Sequence, residues 1–151
     1  MTPVLRITRF LLFTLVATSL GSWAWRTFAF GTDAASLTLP DDGIVVVNFH
    51  ATTRCNACRE IGTEAKTTVD ESFANDLNAG RLSWHVINFE EPAAQHFVTD
   101  YGLTTSTVVI TRRAGGRDVE WQRLDGVWDL LFEGPRMRDY VKRHIMEVMQ
   151  P

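Results

Sequence analysis

Cysteine is scarce in this chain: two residues in 151. That excludes a four-cysteine zinc site, because no second pair exists to complete the ligands. Lysine is scarcer than its charge class suggests, with two against thirteen arginines; nothing functional follows from that. No internal repeat and no low-complexity tract interrupts the sequence. Paired carboxylates, a Ser-His-Asp ordering and a glycine-rich phosphate loop are also lacking, and with them the chemistries they serve. No flavin-binding or dinucleotide-binding glycine pattern is present, so no cofactor is expected. Positive charge is short as well. From Gly31 onward twelve basic residues stand against eighteen acidic ones, which gives no electrostatic reason to bind nucleic acid.

The two cysteines are placed together, in Arg54-Cys55-Asn56-Ala57-Cys58-Arg59. They follow an apolar, β-branched run at 44–49 and precede a helix-like stretch from Arg59. A strand that launches C-x-x-C into a helix start makes a reactive thiol pair. The first N–H groups of the helix are free and point at the thiolate. They lower the pKa of the leading cysteine, Cys55, and make it the attacking sulfur. Arg54 and Arg59 add positive charge beside it. A purely structural disulfide is a poorer use of the pair. Closing a loop of about four residues removes only ~2 kcal/mol of unfolded-state freedom, against ~3 for fifteen residues. A metal site is the other alternative, using Cys55, Cys58 and His50; the remaining histidines are scattered at 85, 96 and 144.

The first thirty residues have a different character from the rest. Arg6 and Arg9 precede an uncharged run from Phe10 to Trp25. A basic start, about a dozen apolar residues and then small ones read as an export signal. Ser22 and Ala24 offer a small-x-small site, while Trp23, Trp25 and Phe28 could equally extend an apolar anchor helix into the interface. Either form, over 1–30, places the remainder outside the cytoplasm, on the periplasmic or envelope side. Residues 31–42 then read as a linker, ending at Pro40-Asp41-Asp42, and 43–151 as one domain with a modest core.

Within that domain the run Ile44–Phe49 is a strand buried on both faces. Apolar residues at Ile61, Ala65, Val69, Phe73 and Leu77 predict one helix, stopped by Ala79-Gly80 and bent at Gly62. Leu82–Phe89 is a second strand. Glu90-Glu91-Pro92 opens a helix with Phe97, Val98 and Tyr101 facing inward, ended by Gly102. Thr107–Thr111 and Val119–Leu124 form a hairpin about Ala114-Gly115-Gly116-Arg117. Two helical segments close the chain, one over 125–132 and a longer one carrying Met137, Tyr140, Val141, Ile145, Val148 and Met149 on one face. A right-handed crossover, with the hairpin added at the free edge, gives an α/β fold: a four-stranded mixed sheet with helices on both faces. Ligand chemistry in such sheets gathers at the C-terminal end of the central strand, where the cysteines lie.

In element order, and in C-x-x-C after the first central strand, the chain resembles the thioredoxin-like superfamily. More narrowly, it resembles the exported ArsF-type family, described as a nitrophenyl compound nitroreductase subunit. That likeness is carried by F-H-A-T-T-R-C-N-A-C-R at 49–59, H-F-V-T-D-Y-G-L at 96–103, S-T-V-V-I at 106–110 and W-Q-R-L-D-G-V-W at 121–128. The resemblance implies a thiol–disulfide oxidoreductase acting on a protein disulfide or dithiol, and in the narrower form an electron-passing or partner subunit. Two positions depart from the superfamily pattern. Asn48 stands where relatives carry a buried acid, and Thr105-Ser106-Thr107 stands where they carry a cis-proline.

The sequence thus nominates Cys55 as nucleophile and Cys58, buried one turn on, as the resolving sulfur, supported by Asn48, His50, Arg54 and Thr107. A reductant outside the cytoplasm would also need a membrane electron donor. A metal-binding or metallochaperone domain and a non-catalytic partner-binding subunit are the alternatives. Trp84, Trp121 and Trp128 are expected in packing roles, Glu90 and Glu91 as helix-start charges, and His96 and His144 facing water.

Overall fold

Uninterrupted β-branched residues at 44–47 favour an extended strand, and they form the middle of β1 (Gly43–His50). The computed structural model describes residues 37–150. The export or anchor segment at 1–30 and the first part of the expected linker lie outside them. After β1 come α1 (Asn56–Ser72), α2 (Ala74–Asn78) and β2 (Leu82–Asn88). A 3-10 turn at Pro92–Ala94 leads to α3 (His96–Asp100), then the hairpin of β3 (Thr107–Ala114) and β4 (Arg117–Arg123). A second 3-10 turn, Asp125–Val127, precedes α4 (Gly134–Met149).

The sheet order is β2-β1-β3-β4. β1 runs parallel to β2 and antiparallel to β3, and β4 pairs antiparallel with β3 at the far edge. This is the α/β arrangement with a four-stranded mixed sheet that the order of elements implied. The two-residue strand period divides the core into two layers. Ile44, Val46, Val108 and Ile110 pack against Ile61, Ala65 and Val69 of α1 and the buried residues of α4. On the other face Val45, Val47 and Phe49 meet Phe97, Tyr101 and Leu103.

Several boundaries differ from expectation. The stripe from Ile61 to Leu77 is carried by two helices, because the backbone leaves helical geometry at Phe73 (φ −126°, ψ 22°) and turns its ring into the core. Gly62 lies inside the unbroken α1 and permits a close approach, described below. The segment after β2 is a 3-10 turn and a five-residue helix, with Phe97 and Tyr101 buried and Val98 only half-buried. The segment 125–132 holds a single 3-10 turn in place of a helix. The end of the expected linker belongs to the domain. Leu39 is buried in the second core layer, and Asp42 Oδ1 accepts from Gly115 N at 2.9 Å. That bond buttresses the hairpin, whose Gly115 (φ 57°) and Gly116 (φ 76°) take the paired positive φ angles of a type I′ turn.

Candidate active site

β1 ends at the C-terminal edge of the sheet and releases a short loop, Ala51–Arg54, before α1. Three side chains fix that loop to the end of β2. Thr52 N donates to Glu90 Oε2 at 2.9 Å, and Asn88 Nδ2 donates to Thr52 Oγ1 at 3.0 Å. Asn88 Oδ1 accepts from Glu90 N at 3.1 Å. The hydroxyl and backbone N–H of Thr52 hold the Glu90 carboxyl below the ordinary carboxylate range. Glu90 is therefore a loop tether, not the helix-start charge expected. The partners are 38 positions apart, so no local signal marked them.

Cys55 is the N-cap of α1, with extended backbone (φ −73°, ψ 167°). Its Sγ accepts from Cys58 N at 3.1 Å, the bond that a Ser, Thr or Asp oxygen usually makes at this position. The two cysteines are joined as a disulfide, with Cα atoms 5.1 Å apart. Cys55 is exposed at the surface. Cys58 is half-buried rather than buried, and opens onto a groove between α1 and β2. One sulfur thus meets solvent directly while the second stays within reach of it, at the positive end of a 17-residue helix.

The supporting residues divide into two groups. Asn48 lies beneath α1 at 4 % exposure, and Oδ1 of its carboxamide is buried with no hydrogen-bond partner. A carboxamide cannot relay a proton as a carboxylate would. His50 donates from Nδ1 to Ala51 O at 2.9 Å, and Arg54 donates to its Nε2. Both ring nitrogens are engaged with protein groups other than the sulfurs. Among the described residues no three His, Cys, Asp or Glu side chains converge as a metal-ligating cluster, so His50 does not gather with the two cysteines here. Arg54 pairs with His50 and also lines the groove beside Cys58.

Thr107 opens β3 opposite Phe49 and is buried, its Oγ1 donating to Leu124 O at 3.3 Å. Every peptide bond among the described residues is trans, including the one before Thr107. Trp128 Nε1 donates to Ser106 O at 3.0 Å and so fixes the loop leading into β3. The tryptophans pack as expected: Trp84 and Trp128 against the core, Trp121 edge-on against Tyr101. His96 is exposed, but His144 is half-buried, with Nδ1 2.8 Å from Glu147 Oε2 and 3.2 Å from Gln122 Oε1. It is a packed side chain on α4, remote in sequence from the cysteines.

No known protein family matches this chain, and no curated protein sequence does either, so the ArsF-type resemblance is not established. Among solved structures the chain is similar to thioredoxins. The Malassezia sympodialis thioredoxin (Mala s 13) matches at 16% identity and a TM-score of 0.42, over 71% of this chain and 85% of that one. A thioredoxin from Thermus thermophilus matches at 17% and 0.43, over 72% and 75%. The Fasciola hepatica thioredoxin matches at 17% and 0.39, over 69% and 83%. The chemistry of the site rests on the chain's own geometry.

Proposed function

We propose that this protein is a thiol–disulfide oxidoreductase whose reacting pair is Cys55 and Cys58. The observation that carries the reading is the exposed Cys55 Sγ at the N-cap of α1, accepting a backbone N–H, with Cys58 close enough to close the disulfide. The reduced chain attacks a partner disulfide with the Cys55 thiolate. A Cys55–partner bond forms, the partner's own S–S bond breaks, and one partner thiolate leaves. Cys58, its proton lost to solvent, then attacks Cys55 Sγ. The Cys55–Cys58 bond forms, the mixed disulfide breaks, and the second partner thiolate leaves. Two electrons have passed from the chain to the partner. The same steps in reverse oxidise a partner dithiol.

The N–H groups of the first helical turn stabilise the Cys55 thiolate in the reduced state. Arg54 and Arg59 add to that potential, and the bonds from Glu90 and Asn88 keep the loop before Cys55 in place. Asn48 lies below as a neutral group, so the Cys58 proton leaves by way of solvent and not through a carboxylate.

The finer reading is an extracytoplasmic protein, exported or anchored through 1–30, that passes electrons within a larger assembly as an ArsF-type subunit would. The basic start and apolar run support the location, and the motifs at 49–59 and 121–128 support the subunit role. Trapping tests the function as a whole. Cys58→Ala should accumulate a mixed disulfide through Cys55 with its partner in the native host, recovered from the envelope fraction. A chain that traps nothing, with Cys55 no more reactive than an ordinary thiol, defeats the proposal.

A further inference from the structure

The groove beside Cys58 is unlike the rest of this acidic protein. Arg54, Arg59 and Lys66 line it, and no carboxylate does. The chain as a whole carries a net charge of −3. Lys66 is partly offset by Asp70, four residues on, at 2.5 Å; Arg59 has no ion-pair partner among the described residues. The opposite wall is apolar. Trp84 and Val86 come from β2, the outer strand on this side of the sheet, and Val86 is 49% exposed. The cavity measures about 530 Å³ and has two unlike walls, cationic on the helix side and apolar on the strand side.

Its length identifies the kind of occupant. Along α1 the lining runs from Cys58 to Thr67, a rise of roughly 13–14 Å at 1.5 Å per residue. That is the span of about four residues of extended chain. Alternate side chains of such a segment point to opposite sides, which suits a groove whose two walls differ.

We propose that this groove receives an acidic, extended segment of a partner protein adjoining the cysteine that reacts with Cys55. Carboxylates of that segment face Arg59 and Lys66, and its apolar side chains rest on Trp84 and Val86. The inference rests on the oxidoreductase reading and names the substrate class of the same site. Charge complementarity carries it: in a protein of net negative charge, every charged side chain lining the channel that leads from the disulfide is a cation. The covalent step is the exchange already described, and the groove sets which partners reach it fast.

The test uses the full chain in its reduced form and short cysteine peptides that share one aromatic thiol leaving group. In the residues beside the cysteine, one peptide carries Glu, a second Gln and a third Lys. Release of the aromatic thiol gives the second-order rate. The Glu peptide is expected to react about tenfold faster than the Gln peptide at low salt, with the Lys peptide slowest. High salt should compress the series. In the double variant Arg59→Gln, Lys66→Gln the Glu-to-Gln ratio should fall towards one. Equal rates for the three peptides would overturn the groove assignment and leave the oxidoreductase reading standing. Glutathione bearing the same leaving group, if it reacts as fast as the Glu peptide, would overturn the extended-segment occupant. A chain that exchanges with none of these, nor with dithiothreitol, overturns both readings.

Discussion

The carboxamide of Asn48 lies directly under the backbone of Gly62: a Cβ added there would meet Asn48 Nδ2 at 2.5 Å. Strand β1 and helix α1 approach each other at this point, one turn beyond Cys58, and the absence of a side chain on Gly62 permits it. Two effects of Gly62→Ala oppose each other. Helix propensity favours alanine by about 0.8–1.0 kcal/mol. Overpacking against a buried amide costs typically ~1–3 kcal/mol. The clash should win, with a net loss of about 1 kcal/mol or slightly more in denaturant unfolding. Combining it with Asn48→Ala, which removes the obstructing amide, should recover part of the loss. Stabilisation by Gly62→Ala alone would show that this contact is not as tight as described.

Glu90 gives a pH-dependent prediction. Its carboxyl is held below its ordinary value of 4.5 by Thr52. A group whose folded pKa is depressed stabilises fully above the unfolded value, and that stability is lost as pH falls through the folded value. The tether on the loop before Cys55 should therefore slacken below about pH 4.5. Hydrogen exchange at Thr52 N, corrected for the intrinsic pH effect, should lose protection in that range. Glu90→Gln should show reduced protection already at neutral pH and no such step. Unchanged protection in the variant would remove Glu90 from the account.

Trp128→Phe tests the loop that leads into β3. The substitution keeps most of the ring's packing and deletes the bond to Ser106 O. An unpaired carbonyl and a lost hydrogen bond together should cost about 1–3 kcal/mol. The checking measurement is unfolding monitored by far-ultraviolet circular dichroism, with a loss below half that figure counting against the clamp.

Phe73→Ala should cost about 3–5 kcal/mol, as for other buried aromatic truncations. It also shows where sequence periodicity stops being informative. Ile61, Ala65, Val69 and Phe73 recur every four residues, and each step drifts about 40° around a helix of 3.6 residues per turn. After three steps the stripe has rotated by roughly 120°, away from the sheet. The chain interrupts the helix at Phe73 and so returns the ring to the core. Recurrence at four was visible in the sequence; the accumulated drift, and the break it forces, required the position of the sheet.

The site was legible to the same uneven degree. Adjacency in sequence placed Cys55 and Cys58 correctly at the strand-to-helix junction, because a buried β-branched run and a helix start are both local patterns. Glu90, Thr52 and Asn88 were not legible as a group, since their contact joins two loops across the sheet end. The close approach at Gly62 was not legible, because a helical glycine looks the same in sequence whether or not it admits a neighbour. His50 was placed near the cysteines by numbering alone. Its ring instead serves Arg54 and the carbonyl of Ala51.

The central claim is that the start of α1 keeps the Cys55 sulfur ionised near neutral pH. The most direct measurement is the alkylation rate of Cys55 against pH in reduced Cys58→Ala, which retains the backbone N–H at position 58. The account predicts a titration midpoint below the roughly 8.5 of an ordinary thiol. A midpoint at 8.5 or above would contradict it.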